Sequence, residues 1–275
     1  WSSDVCSSDL IPNLEGYTST FPAAVSNGGV VVGRVSKPGS FNQRVLLRNQ
    51  AFIWDTHKGI RGLGTLEGDV ASIACGISRD GDTISGYSLG ENRIRACVWR
   101  RVGDRWETSP MPQKDRLASN VVAISDDGRH VSAVDGTIPC LWSRDDAGKW
   151  NREPIGEPGS LIPRAVNNEG MVVGFTFDGG GRKHAVIRTR DRACSRIQEP
   201  MGYVQSEALD VNQAGVVVGT TDRSGKHGLE PRAFIYEKGQ MRLINEGGPN
   251  FTSANAINNA RQVTGTFERD EDEEK

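Results

Sequence analysis

"RAVNNEGMVVG" at residues 164–174 decides the fold. An apolar segment leads into Asn-Asn-Glu-Gly, and a second apolar segment leads out. Asn side chains close turns on their own backbone and Gly accepts a positive φ, so the stretch reads as a β-hairpin with a loop of several residues. The pattern returns five more times: "AAVSNGGVVVG" (23–33), "CGISRDGDTISG" (75–86), "VAISDDGRHVSA" (122–133), "LDVNQAGVVVG" (209–219) and "NAINNARQVTG" (255–265). The turn glycines Gly29, Gly81, Gly128, Gly170 and Gly215 stand 52, 47, 42 and 45 residues apart, and Arg261 takes the glycine's place 46 further on.

A second marker keeps the same period. "AFIW" (51–54), "ACVW" (96–99), "PCLW" (139–142), "AVIR" (185–188) and "AFIY" (233–236) are spaced 45, 43, 46 and 48 residues apart. A short apolar run of this kind fits a strand buried on both faces. A turn and a weaker fourth strand follow. In "WRRVGDRW" (99–106) a two-residue turn at Val102-Gly103 places Trp99 opposite Trp106. "WSRDDAGKW" (142–150) repeats the theme with a longer loop, and "YEKGQM" (236–241) turns at Lys238-Gly239. These tryptophans read as sheet packing.

Four strands in about 45 residues is the size of a propeller blade, a unit that cannot bury both its faces alone. The expected fold is all-β: a β-propeller of about six four-stranded blades, five complete repeats plus a partial sixth. The sixth contributes its first two strands from 252–267. "LIPNLEG" (10–16) resembles "GLGTLEG" (62–68) and is expected to lend that blade an outer strand. Arg261 should carry a left-handed backbone at a cost of about 1–2 kcal/mol. A β-solenoid needs more regular rungs than spacings of 42 to 52 allow.

The chain ends read differently from this body. "WSSDVCSSDL" (1–10) has no basic residue and no apolar run, and it matches the in-frame translation of a widely used short-read sequencing adapter. Residues 1–10 are therefore set aside as non-native, 11–267 form one propeller domain, and 268–275 an acidic disordered tail. Glycine, 33 of 275 residues, exceeds its usual share of about 7% and favours turns. The net charge of −2 conceals a mildly positive body between the acidic ends, too weak for a nucleic-acid footprint. Apolar runs fall short of the ~18 residues of a membrane helix. Cys75, Cys97, Cys140 and Cys194 show no zinc spacing; Cys97 and Cys140 occupy equivalent core positions, with an inter-blade disulfide as the alternative.

At these residues the chain resembles the HAF-repeat family of bacterial extracellular proteins, over nearly its whole length after Leu10. The family pattern is A-I-N-x-x-G-x-V-V-G, then H-A-F-L-W, then G-x-M-x-x-L-G. Residues 165–174 keep the first part best, His184 keeps the histidine, and "AFIW" followed by "GIRGLGTLEG" (59–68) keeps most of the whole. Gln50, Arg95, Ile138 and Arg232 replace the histidine elsewhere, and Arg188 replaces the aromatic. The resemblance implies an extracellular or periplasmic setting, no known catalysis and a structural role for His184.

No phosphate-binding G-x-x-x-x-G-K-[ST] loop or H-E-x-x-H zinc motif occurs. "FDGGGRKH" (177–184) leads into a strand and reads as loop filler. "SRDGD" (78–82) and "SDDG" (125–128) lack the ligand series of a calcium loop. His57, His130, His184 and His227 mark no shared site, and "NFT" (250–252) fits a glycosylation acceptor. No cofactor or metal is expected. The second-to-third-strand connections are long in the first unit, about 17 residues over 34–50, and in the fifth, about 13 around 221–232. They are basic, through Arg34, Lys37, Arg44, Arg48, Arg223, Lys226 and Arg232. Loops carry function more often than scaffolds do. Arg44, Arg48, Arg223, Lys226 and Arg232 are thus the candidate site residues of a non-catalytic binding or surface-display module for a glycan, peptide or protein ligand. The alternative is a hydrolase or lyase acting on polysaccharide.

Overall fold

The computed structural model describes residues 11–38, 48–113, 119–191, 193–225, 228–244 and 250–268. Its contacts gather into two compact units, Trp1–Arg129 and His130–Lys275. No helix long and apolar enough to cross a membrane occurs among the described residues.

Strands follow the repeat. The first sheet runs β1 (Ser19–Val25), β2 (Val31–Ser36), β3 (Asn49–Asp55), β4 (Gly59–Gly62) in that order. The second is β5 (Ala71–Ile77), β6 (Thr83–Gly90), β7 (Arg93–Val102), β8 (Arg105–Pro110). The third is β9 (Ser119–Ile124), β10 (His130–Asp135), β11 (Ile138–Arg144), β12 (Trp150–Pro154). The fourth is β13 (Ile162–Val166), β14 (Val172–Phe177), β15 (Lys183–Arg188), β16 (Cys194–Arg196). The fifth is β17 (Tyr203–Val211), β18 (Val217–Gly225), β19 (Gly228–Glu237), β20 (Gln240–Leu243). A two-stranded sheet, β21 (Asn250–Ile257) and β22 (Val263–Glu268), closes the series.

The first marker builds each opening hairpin and the second builds the buried third strand. Trp99 and Trp142 are fully buried, and so are the free Cys97 and Cys140. Apolar faces meet sheet on sheet within each unit. Val32, Ala51 and Ile53 of the first sheet pack on Ala74, Ile84 and Trp99 of the second. Likewise Val173 and Ile187 of the fourth sheet pack on Ala208, Val217 and Phe234 of the fifth.

One glycine position has a steric reason the turn does not supply. Gly33, Gly86, Gly174, Gly219 and Gly265 end the first marker in five copies. A Cβ there would lie 1.9–2.1 Å from the carbonyl oxygen of Phe21, Ile73, Ile162, Glu207 or Ser253. Each faces a β-bulge on the first strand, as between Ala74 and Gly76 or Ala208 and Asp210. The bulge drives the neighbouring main chain into the space a side chain would take.

Several sequence expectations are corrected. The β7–β8 turn is Gly103-Asp104, because Val102 still pairs with Arg105; Trp99 therefore faces Thr108, and Trp106 faces Arg101. In the third sheet Trp142 faces Arg152 and Trp150 faces Arg144. The tryptophans thus do not pair across hairpins: Trp99 and Trp106 join the core between the first and second sheets, and Trp150 lies under the Arg144 guanidinium. The turn at Lys238-Gly239 stands as read, with φ of 53° and 81°, and Arg261 holds φ 65°. Residues 11–18 form no strand, and β21–β22 gains none from the "LIPNLEG" stretch among the described residues. The fifth unit's long connection is instead hairpin ladder, since β18 and β19 pair as far as Gly225 and Gly228.

The hairpin turns touch the next sheet in two ways. In Trp1–Arg129 main chain meets main chain: Asn27 N–H donates to Arg79 O at 3.0 Å, and Arg79 N–H to Asp126 O at 2.8 Å. The turn itself is closed by serine, as where Ser78 Oγ accepts from Thr83 N–H at 3.0 Å. In His130–Lys275 asparagine does both jobs. Asn212 Oδ1 accepts from Ala214 and Val216 N–H, while its Nδ2 donates to Asn258 O at 3.2 Å. Asn167 Nδ2 likewise donates to Asn212 O at 3.1 Å.

Candidate functional site

Of the basic residues picked from the sequence, Arg48 directly precedes β3, Arg223 lies on β18 and Arg232 on β19. Arg44 and Lys226 lie outside the described residues. Arg48 donates to Pro38 O at 2.8 Å, and Arg232 to Pro231 O at 2.7 Å. Arg223 is paired with Glu230 at 2.6 Å across the β18–β19 ladder, so much of its charge is matched. Two further cations of the first unit lie over aromatic rings: Arg34 over Phe21 at 4.5 Å and Lys37 over Tyr17 at 5.3 Å.

A tighter cluster lies in the fourth and fifth sheets, and the sequence reading passed it over. Arg164 occupies the bulge of β13, where other copies place Ala23, Cys75, Val122, Leu209 or Asn255. Phe175 and Lys183 come from β14 and β15, and Glu207 from β17. Arg164 grips Glu207 Oε1 with both Nε and an Nη at 2.6 Å, and Lys183 takes Oε2 at 2.5 Å. Both cations also lie over the Phe175 ring, at 5.1 and 4.7 Å. The Glu207 carboxylate is only 9% exposed, while Arg164 and Lys183 keep 40% and 38% of their side chains in solvent. One buried carboxylate thus positions two half-exposed cations with a net positive charge. Phe177 stands edge-on to Phe175 at 5.3 Å and is half exposed. The legible signal was a charged residue at a bulge that is uncharged in every other copy.

His184 is buried beside this cluster. Its Nδ1 lies 2.7 Å from Glu199 Oε1 and its Nε2 3.1 Å from Asp178 Oδ2. Ser206 Oγ donates to the same Glu199 oxygen at 2.8 Å and accepts from Ala185 N–H at 2.9 Å. Both ring nitrogens are engaged, so the histidine ties the 178–182 turn and β15 to β17. The Asp178 carboxyl is drawn down to about 2, first by the main-chain N–H of Arg182 and then by His184. Where other copies lack the histidine, the position makes different ties: Gln50 accepts from the Tyr17 hydroxyl at 2.6 Å, and Arg95 pairs with the buried Asp69 at 2.9 Å.

One match to the G-x-S-x-G pattern of hydrolases, "GYSLG" at 86–90, escaped the motif reading. It runs along β6 rather than around a strand-to-helix turn, and Ser88 is fully buried with its Oγ accepting from Leu66 N–H at 3.0 Å. That is a structural serine and not an exposed nucleophile.

No protein-family model matches the chain, and no curated protein does. Its likeness is to solved structures. The β-propeller domain of the Trilobed protease from Pyrococcus furiosus, described as having an open velcro topology, is 13% identical. That match covers 93% of this chain and 79% of that one at a TM-score of 0.60. TolB from Acinetobacter baumannii is 14% identical over 84% of this chain and 55% of that one, at 0.51. A prolyl endopeptidase is 13% identical over 84% of this chain but only 35% of its own, at 0.58. At such identities the likeness carries the fold alone. The chain is an all-β propeller, with five four-stranded blades and two strands of a sixth among the described residues.

Proposed function

We propose that the chain is a non-catalytic binding or surface-display module that takes an anionic glycan on the Arg164–Lys183–Phe175 cluster, in an extracellular or periplasmic setting. The supporting observation is Glu207, which holds two half-exposed cations over one aromatic ring while neutralising only one of them. Fixed, partly solvated cations suit carboxylate or sulfate groups, and the exposed Phe177 ring offers an apolar surface for a sugar. The setting rests on the HAF-repeat resemblance.

Titration of the intact chain with polygalacturonate, with neutral dextran as the comparison, tests this reading. Polygalacturonate should bind and should weaken as salt rises. Replacing Arg164, Lys183 and Glu207 together by Gln leaves no buried carboxylate orphaned and should weaken binding about tenfold or more. Equal binding of dextran, or unchanged binding by the triple variant, rejects the cluster. Release of reducing ends or unsaturated products from the polymer rejects the non-catalytic reading and favours a hydrolase or lyase.

A further inference from the structure

At the opposite end of the fourth sheet the repeat is broken by one residue. The third-strand marker ends in Trp54, Trp99, Trp142 and Tyr236 in the other complete copies, but in Arg188 here. Arg188 is buried, as Trp99 and Trp142 are, with only 4% of its side chain exposed, whereas Trp54 and Tyr236 are partly exposed. Burying a guanidinium is unfavourable unless its donors find partners. Arg188 Nη2 donates to Glu153 at 2.7 Å and its Nη1 to Gly170 O at a long 3.3 Å. Five N–H donors are available on a guanidinium, so those two bonds leave capacity unspent.

Arg188 also lines a cavity of about 290 Å³, together with Glu153, His130, Asn168, Glu169 and Arg190 among others. His130 Nδ1 lies 2.9 Å from Ser143 Oγ, and Arg190 pairs with Glu169 at 2.9 Å at the exposed rim. The volume sits at the lower edge of the usual small-molecule range of about 300–1,000 Å³. Leu141 is the one aliphatic side chain in the lining. A ligand here must be small and polar, with an anionic group for the fork of Arg188 and hydroxyls for the surrounding donors and carboxylates.

We infer that the Arg188 cavity is a binding site for a sugar acid of monosaccharide size, its carboxylate received by Arg188 and its hydroxyls by Glu169, Asn168 and His130. The site is separate from the Arg164–Lys183 cluster and does not rest on the glycan reading above. Planar bidentate recognition explains why the position takes arginine.

Calorimetric titration of the intact chain with D-glucuronate, D-glucose and acetate decides the matter. Glucuronate should saturate one site at least about tenfold more tightly than either glucose, which lacks the charge, or acetate, which lacks the hydroxyls. Arg188→Trp restores the repeat's aromatic and should abolish glucuronate binding while leaving polygalacturonate binding and the unfolding midpoint intact. Arg188→Lys keeps the charge without the fork and should weaken binding about tenfold; it decides the question if the tryptophan variant does not fold. The inference falls if glucuronate shows no saturation by about 10 mM, if acetate or glucose binds equally, or if either variant binds like the parent. Loss of polygalacturonate binding alone would strike the earlier proposal and not this one.

Discussion

Trp1–Arg129 and His130–Lys275 solve the same junction with different chemistry. Each hairpin turn must close on itself and also meet the neighbouring sheet. In the first unit a serine closes the turn, and because its side chain is short the two backbones approach directly. The cost is crowding: a Cβ on Gly128 would lie 3.1–3.2 Å from Thr83 and Ser78, and one on Gly81 3.3 Å from Ser26. In the second unit the longer asparagine spans the gap. Crowding is milder there, with Gly170 and Gly215 no nearer than 3.4 Å to a neighbour, and the sixth copy tolerates Arg261. The replacement of a hydroxyl by a longer carboxamide, which carries both an acceptor and a donor, thus sets how the turns meet.

The bulge glycines are common to both units and give the largest expected effect. Gly86→Ala and Gly219→Ala should each cost about 3 kcal/mol or more in denaturant unfolding, since the carbonyl cannot yield without breaking the bulge. A much smaller cost at one of them would show that its bulge relaxes. Removal of the turn residues comes next. Asn212→Ala loses one acceptor oxygen that takes two hydrogen bonds, and a donor, at about 3 kcal/mol, whereas Ser78→Ala orphans chiefly the Thr83 N–H, at about 1–2 kcal/mol. Equal losses would erase the distinction between the two junctions. Exchange sharpens it further: Ser78→Asn inserts bulk where Gly128 already packs and should destabilise by about 1–2 kcal/mol instead of forming the extra bond. Arg261→Gly removes a strained left-handed residue but also its 2.7 Å pair with Glu237, so thermal unfolding should shift upward by less than about 1 kcal/mol.

The acid limb of stability offers the finest test. Asp178 titrates lower in the folded chain than the ordinary carboxylate value of about 3.9, so its contribution is complete above that value and is lost as pH falls toward about 2. Asp178→Asn should flatten the stability profile in that window alone. An unchanged acid limb would mean that the 178–182 turn does not depend on this carboxylate.

The strand pattern was legible because apolar periodicity, Gly turns and a fixed repeat all constrain local backbone. Register was less so: the misplaced turn in 99–106 shows that a Gly can sit at either position of a two-residue loop, and each choice moves every cross-strand partner. The basic site residues were read from connection length, yet Arg223 sits in a ladder opposite Glu230 because paired strands can carry Gly and charge as readily as loops do. The Arg164 cluster draws its members from four strands across more than forty residues, which linear spacing cannot reveal. Arg188 stood out in the sequence as a break in the repeat. Only its burial against Glu153 turned the break into a cavity.

The asparagine relay in His130–Lys275 has a consequence for how that half comes apart. Asn167 leans on the Asn212 carbonyl, and Asn212 on that of Asn258, so each link is oriented by the next. Loss of Asn212 should therefore be felt at the turns on either side of it, as nearest-neighbour coupling between stacked repeats predicts.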